Sequence, residues 1–447
     1  MTKYQKYAEY KDSGVDALGR IPKEWSVMRG KFLFSEINER SENGDETLLS
    51  VSEYYGVKPR GENISEGEYL SRAESLEGYK KCYVNDLVMN IMLAWKRGLG
   101  ISKYNGIVSP AYSVFRFNNK VSPDFMHYLL RTEEYIKYFK TRSTGIIDSR
   151  LRLYPDSFGD IFILLPSIDD QIQITNFLDY ETTKIDHLIE KQQQLIELLK
   201  EKRQAVISHA VTKGLDPNVP MKNSGVEWLG EVPEHWEIPK LLHITTRIGD
   251  GLHSTPVYQE GTGYYFINGN NLVDGEIIIG ETAKEVPESE FIKHQVTLDK
   301  TTVLLSINGT IGKVALYNNE PVILGKSASY MNCCPEVLPS FLVNYLTTSQ
   351  AKKYYDLEVT GTTIFNLSLN SIRNMKVPLP PIDEQKGIVQ FIAEQYSKYE
   401  TLIQSSAKQN KLLKERRTAL ISAAVTGKID VRNWQAPTVG ADTELSA

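Results

Sequence analysis

Apolar positions recur at alternating three- and four-residue intervals in two long stretches, 168–212 and 382–426. In the first, Leu178, Ile185, Leu188, Leu195, Leu199 and Val206 follow this spacing. It marks a narrow coiled-coil seam, not the broader stripe that a helix turns toward a globular core. About 45 helical residues would extend roughly 67 Å at ~1.5 Å per residue, far beyond the ~10–14 residues of an average helix. Such a helix needs a partner along its length. Residues 168–216 match 382–430 at a fixed shift of 214 without a gap, with 20 of 49 positions identical, so the natural partner is the chain's own copy. Glu181, Gln192, Lys202 and His209, with Ser406, Gln409 and Arg416 in the copy, put polar groups on the seam. Such residues fix register at some cost in stability. The alternative is that each helix packs separately on its own domain.

A second repeat leads into each half. Ser13 to Trp25 matches Ser224 to Trp236 at a shift of 211, with seven of 13 positions identical. Gly19 and Gly230 suit a turn, Pro22 and Pro233 fix φ, and Trp25 and Trp236 can anchor the turn in a core. Between lead-in and helix the two copies diverge. Short runs rich in β-branched and aromatic residues predict strands at 87–93, 113–117 and 161–165, then at 302–307, 314–317 and 375–379. A helix-like segment recurs at 123–139 and 339–355. Thr144-Gly145 and Thr360-Gly361 follow it, and prolines at 166 and at 380–381 close each domain. Residues 215–223 form the linker between halves, and the tail after Trp434 is expected to be disordered. The predicted fold class is mixed α/β (α+β): two α/β domains separated by two long helices that form an antiparallel coiled coil, with an internal pseudo-two-fold repeat. The boundaries are 1–167 for the first domain, 168–214 for the first helical spacer, 215–381 for the second domain, 382–428 for the second spacer and 429–447 for the tail.

Composition narrows the class. The 447 residues are 41% hydrophobic and 24% charged, ordinary for a soluble protein, and no apolar run approaches the ~18 residues of a membrane span. The first 14 residues contain no apolar signal core. Cys82, Cys333 and Cys334 form neither a metal-ligand spacing nor an even-numbered framework. A cytoplasmic protein without membrane association is expected. The net charge of −5 is unusual for a protein that neutralises phosphates alone. A DNA-binding role therefore needs locally concentrated cations or a partner's positive surface.

The distribution of likeness has a physical meaning. Helices and turns match between the halves, while the domain bodies differ. A scaffold fixes geometry and the loops on it fix specificity. Two related readers on one spacer suit two sites a fixed distance apart, as in DNA, although a bivalent protein scaffold fits the same pattern.

The chain resembles the specificity subunit of type I restriction–modification enzymes. The resemblance covers nearly the whole sequence. It rests on the doubled SGV-x-x-LG-x-x-P-x-x-W lead-ins, on LPSIDDQ at 165–171 and LPPIDEQ at 379–385, and on the helix endings KRQAVISHAVT and RRTALISAAVT. It implies two target recognition domains that each read part of a split sequence in double-stranded DNA. The helices would space those domains and bind two methyltransferase subunits, which methylate adenine at N6, and motor–nuclease subunits would join for restriction. No cofactor is implied in this chain; S-adenosylmethionine, ATP and Mg2+ belong to the partner subunits.

Catalytic motifs are correspondingly missing from the sequence. It contains no Asn-Pro-Pro or Asp-Pro-Pro, as an adenine methyltransferase of the usual kind would. Gly325-Lys326-Ser327 resembles the end of a phosphate loop, but position 320 is Glu where that loop needs Gly. Pro155-Asp156 begins like a nuclease motif and is not continued by an acidic-x-Lys. The seven histidines form no pair at metal-ligand spacing. The reading is a non-catalytic DNA-recognition subunit, with a bivalent coiled-coil scaffold or a DNA-modifying enzyme of unfamiliar type as alternatives.

Candidate DNA contacts lie in loops that combine cations, hydroxyls and amides. In the first domain these are Lys96 and Arg97, then Arg142, Ser143, Thr144, Arg150 and Arg152. In the second they are Ser254, Asn308, Lys313, Thr360, Thr362, Thr363 and Asn366. The 308–313 loop is the counterpart of the Lys96-Arg97 loop, and Asn308 has the donor and acceptor to read an adenine edge.

Overall fold

The computed structural model describes residues 4–60, 75–361 and 365–437. It divides into two compact units: Met1–Gln192 with Lys408–Ala447, and Gln193–Ala407. The tail from 438 onward, part of the segment expected to be disordered, lies outside the described residues.

In the first unit the lead-in is a hairpin, with Tyr10–Asp12 antiparallel to Arg20–Pro22. Gly19 turns it at φ 60°, which a side chain would oppose, and Trp25 ends it fully buried. A four-stranded antiparallel sheet follows, in the order Phe34–Ile37, Tyr112–Phe117, Leu87–Asn90, Leu99–Ile101. The strand Phe162–Leu165 pairs antiparallel with Ser26–Arg29 and delivers the chain to the first long helix, Ile168–Lys213. Phe125, Phe139, Phe158 and Phe177 are fully buried and belong to one core with Trp25 and Ala424.

The second unit repeats this plan. Met221–Asn223 pairs with Glu231–Pro233, so the linker expected over 215–223 already forms a strand in its last three residues. The four-stranded sheet runs Thr245–Asp250, Ala328–Cys333, Thr302–Ser306, Val314–Leu316. A smaller sheet contains the parallel pair Tyr265–Ile267 and Val322–Leu324. The second long helix is Ile382–Val425. Trp236, Phe341, Tyr345 and Ile388 share the core with Ala210 and Val211 from the end of the first long helix.

Three local expectations are corrected. The segment 123–139 is not one helix. Pro123–Leu130 ends at Arg131, and Thr132 caps a new helix, Glu133–Arg142, by accepting from Tyr135 N. Thr348 does the same between Pro339–Leu346 and Ser349–Glu358, accepting from Ala351 N. A threonine hydroxyl competes for the free amides of a helix start better than it serves a helix interior. Nor is 375–379 a continuous strand. It pairs with the segment at 237–240 only through the bridges Glu237–Leu379 and Lys240–Lys376. Pro239 and Pro378 stand in the two segments without the N–H a full ladder needs.

The third correction concerns the seam. Leu188 and Leu195 are exposed, as are Lys202, His209, Gln409 and Arg416. The inward line instead runs Leu178, Thr182, Ile185, Ile189, Gln192, Ile196, Leu199 and Arg203. Each step is four or three residues, so the coiled-coil period stands; Leu178, Ile185, Gln192 and Leu199 keep their seam places, and the alternate positions move on by one residue to Thr182, Ile189, Ile196 and Arg203. On the second long helix Tyr399, Ile403, Ser406, Asn410, Leu413, Arg417 and Leu420 face inward. Within each unit the helices pair antiparallel. In the first unit Arg417 Nε donates to Asp186 Oδ1 at 2.7 Å and Gln192 Nε2 donates to Gln409 Oε1 at 3.1 Å. In the second, Arg203 Nη1 donates to Glu400 Oε2 at 3.0 Å. The paired numbers fall on one helix as they rise on the other, which defines the direction.

The glutamines of the two LPxIDxQ motifs fasten helix to domain. Gln171 is fully buried. Its Oε1 accepts from Ser122 N at 2.7 Å, and its Nε2 donates to the carbonyls of Lys120 and Pro166, both at 3.1 Å. Gln385 accepts from Leu338 N at 2.8 Å and donates to Glu336 O at 2.8 Å and Pro380 O at 2.9 Å. Each buried amide bonds three backbone groups where the chain passes from domain to helix, and an amide held this way is costly to remove.

Candidate nucleic-acid interface

The same pair of loops closes in both units. In the first, Leu153 N donates to Ile91 O at 2.9 Å; in the second, Leu367 N donates to Ile307 O at 2.8 Å. Each bond ties the end of a central sheet strand to the loop after the second short helix. The structure thus brings together the two clusters that the sequence nominates separately: Lys96-Arg97 with the 140–152 loop, and the 308–313 loop with the 360–366 loop.

In the first unit, Thr144 and Arg152 pair through two backbone hydrogen bonds of 2.9 Å and hold a loop between them. Gly145 opens this loop at φ 153°, and a Cβ there would lie 2.6 Å from Arg150 O. Arg142 and Arg150 are exposed, with Arg142 over the Tyr138 ring at 5.6 Å. Ser143 spends its hydroxyl on Phe139 O at 2.8 Å. Arg152 is half-buried and donates to Leu151 O. Trp95 and Lys140 begin the two candidate segments, Trp95-Lys96-Arg97-Gly98 and Lys140 to Gly145, without being among the nominated contacts. The Trp95 ring has Lys96 Nζ at 4.8 Å and Lys140 Nζ at 5.1 Å, so one buried indole holds two cations, one from its own turn and one from the last turn of the helix Glu133–Arg142. The adjacency of Trp95 and Lys96 was the available signal.

Arg97 behaves differently from its neighbour. Its backbone is left-handed at φ 64°, and its guanidinium is engaged by Glu133 and by Arg131 O. Arg131 beside it is bound wholly by backbone, donating to Arg97 O at 2.8 Å, Leu99 O at 2.5 Å and Glu53 O at 2.9 Å among others. Burial, with Arg97 and Arg417 nearby, pushes its pKa down to about 10, so it stays charged at neutral pH. Arg131 and Arg97 thus knit the loop bases together, while Lys96 is the cation that faces solvent.

In the second unit, Thr360 and Asn366 pair across their loop at 3.1 and 2.9 Å, and Gly361 has φ 106°. Asn366 also bridges to Asn308, so Asn308, Thr360 and Asn366 stand together. Lys313 is half-buried, its amide held by Ser306 Oγ at 2.9 Å. Thr362 and Thr363 lie outside the described residues. Ser254 is exposed two residues after Leu252, which bonds to the Leu324–Lys326 turn. The next residue of that turn, Ser327, accepts from Ile307 N at 3.0 Å. Gly325-Lys326-Ser327 therefore links the loops of Ser254 and Asn308, and the exposed Lys326 adds a cation that sequence reasoning missed. Pro155-Asp156 proves to be a helix start, with Pro155 in the first turn of Pro155–Gly159. Among the described residues no group of three or more His, Cys, Asp and Glu is placed to hold a metal ion, and no helix is long and apolar enough to cross a membrane.

The geometry agrees with comparisons to known proteins. A family model described as the type I restriction modification DNA specificity domain matches residues 234–414. The MjaVIII specificity subunit of Methanocaldococcus jannaschii is 25% identical over 433 residues, covering 93% of this chain and 95% of that one. The EcoKI specificity subunit of Escherichia coli K12 is 20% identical, covering 86% and 84%. Among solved structures, a chain from work on complex assembly and conformational transition of the type I R-M system aligns with a TM-score of 0.67 at 16% identity, over 91% of this chain and 98% of that one. The HsdS subunit from Thermoanaerobacter tengcongensis aligns at 0.53 and 16%, over 92% and 98%. With the doubled lead-ins and the paired LPxIDxQ glutamines, these matches show that the chain is similar over most of its length to specificity subunits of type I restriction–modification enzymes, that residues 234–414 match the model of their DNA specificity domain, and that it shares their fold.

Proposed function

We propose that this chain is the sequence-specific DNA-recognition subunit of a type I restriction–modification complex and has no catalysis of its own. Each unit reads one half of a bipartite target with its paired loops. The observation that carries this reading is the repeated loop closure, Leu153 to Ile91 and Leu367 to Ile307. One frame presents two different sets of side chains, which is what a reader of two unlike half-sites requires. Lys96, Lys140, Arg142 and Arg150 supply phosphate and guanine contacts on one side. Asn308, Thr360 and Asn366 supply an amide- and hydroxyl-rich surface on the other.

Two methyltransferase subunits dock on the long helices, and motor–nuclease subunits join through them. S-adenosylmethionine, ATP and Mg2+ act on those partners. The net charge of −5 is too negative for a continuous phosphate-binding surface, so the partners complete it.

The test is DNA binding and genomic methylation mapping by the reconstituted complex. Arg150→Ala is expected to weaken or relax recognition of one half-site only, and Asn366→Ala of the other. Binding by the assembled complex should fall steeply with salt. Tight, specific binding by the purified chain alone would remove the role of the partners, and loss at both half-sites from either substitution would overturn the assignment of one loop pair to each.

A further inference from the structure

The ends of the two long helices are copies in sequence but are not covered alike. In the first unit the Tyr4 ring stands edge-on to Phe177 at 5.3 Å, and its hydroxyl donates to Glu181 Oε2 at 3.2 Å. Arg416 is also among the groups acting on that hydroxyl. Trp434 packs on Phe177 at 5.4 Å. Phe177 is fully buried there, and Ile429 is 4% exposed.

At the shift of 214, Phe391 stands where Phe177 does, Leu215 where Ile429 does, Lys202 where Arg416 does and Gln395 where Glu181 does. In the second unit Phe391 is only half-buried and Leu215 is 45% exposed. With Leu198, Ala205 and Val206 they line an open, mostly apolar groove of about 750 Å³, with Lys202 and His209 beside it.

Chain topology explains the difference. In the first unit two separate segments, 4–9 and 428–434, both reach the helix end, where Asp430 N donates to Gln5 O at 2.8 Å. In the second unit one connection, 214–220, runs from the helix to the strand Met221–Asn223. That single short connection has no second segment to lay an aromatic ring on Phe391. The groove keeps the floor and the polar positions of its filled copy but lacks the ring.

We propose that this groove docks a tyrosine presented on a segment of a partner polypeptide, with its ring on Phe391 and its hydroxyl toward Gln395 and Lys202. The filled copy states the chemistry: an aromatic ring edge-on to phenylalanine, with a hydroxyl given to an acceptor four residues further along the same helix. The inference is independent of which DNA the loops read.

The probe is a labelled peptide with the sequence of residues 1–9, which carries Tyr4, titrated by fluorescence anisotropy against the full chain. Saturable binding is expected. The same peptide with Tyr4→Ala should bind at least about tenfold more weakly, the loss of one buried aromatic anchor. Ala205→Arg, at an exposed helical position, should block the groove and reduce binding as much. Leu198→Glu, at a site 61% exposed, repeats the test if the first variant unfolds. No binding, or binding that survives both groove variants, overturns the proposal; the second result places the peptide elsewhere, including on the first unit in exchange for the chain's own Tyr4. Neither variant touches the recognition loops, so this outcome is separate from the success or failure of the DNA assignment.

Discussion

At the scale of single residues, the glutamines at 171 and 385 matter more than their place at a polar helix start suggests. Each buried side-chain amide holds one backbone N–H and two carbonyls at the passage from domain to helix. Gln171→Ala removes three hydrogen bonds and leaves those groups unpaired, so a loss of about 2–4 kcal/mol is expected, read as a lower denaturant midpoint with unchanged slope. Gln171→Glu should restore little at neutral pH, because a carboxylate cannot donate to Lys120 O and Pro166 O. An alanine variant as stable as the parent would contradict this role. His127 gives a pH-dependent counterpart. Burial, followed by the nearby Arg131 and Lys103, pushes its pKa down to about 4 from 6.5, and its Nδ1 accepts from Ile101 N at 3.2 Å, a bond that only the neutral ring can make. The unfolded chain takes up this proton first as pH falls. Stability from this group is therefore present above pH 6.5 and drains away between 6.5 and about 4, by roughly 3 kcal/mol at ~1.36 kcal/mol per unit. His127→Gln should flatten that part of the stability–pH curve, and an unchanged slope would show that other groups dominate. Neither role was legible beforehand. The sequence shows Gln171 inside a repeated motif and His127 on an apolar helix face, but the groups that surround them come from residues about 50 and 26 positions away.

At the scale of elements, the long helices show what periodicity can and cannot decide. Their existence, length and repeat followed from the three-four spacing and the gapless copy. The phase did not, because Leu188-Ile189 and Leu195-Ile196 are adjacent apolar pairs that satisfy two neighbouring seams equally. The choice between them is made by side chains outside the apolar pattern: Gln192 meets Gln409, Arg203 meets Glu400, and Arg417 meets Asp186. These pairs join residues nearly 200 or more positions apart, which no local pattern can register. Cysteines placed by Gln192→Cys and Gln409→Cys, in one unit and on facing positions, should be joined within one molecule by a short bis-maleimide. The product would run as a faster-migrating monomer on a denaturing gel. Cys82 and Cys333 are buried and add little background; Cys334→Ser removes the remaining thiol. Crosslinks that form only between molecules would contradict the antiparallel pairing. The loops follow the same logic: the sequence separates Lys96 from the 140–152 loop, and the strand end at Ile91 joins them.

At the scale of the whole molecule, the repeated units and the paired helices lead to a test of how target spacing is set. Each unit contains half of each long helix, with divisions after Gln192 and after Ala407. Lengthening one helix alone would strand its partner's inward residues, so the insertion must be made in both. Four residues placed between Gln192 and Gln193, and four between Lys408 and Gln409, keep the Gln192–Gln409 contact on one side of the insertion and the Arg203–Glu400 contact on the other. Four residues add roughly 6 Å at ~1.5 Å per residue, close to two base pairs at ~3.4 Å each along DNA. They overshoot one helical turn by about 40°, a stutter that a coiled coil absorbs by local unwinding. A seven-residue insertion would hold the seam phase better but add nearly twice the length. If the helices set the separation of the half-sites, an active four-residue variant will methylate the same two half-sites with a spacer longer by about two base pairs. Methylation mapping of genomic DNA from cells carrying the variant with its partner subunits reads this directly. The half-sites serve as an internal control, since the inserted residues leave both loop pairs intact. An active variant with the original spacer would mean that the docked methyltransferases position the two units and that the helices serve only as their docking surface.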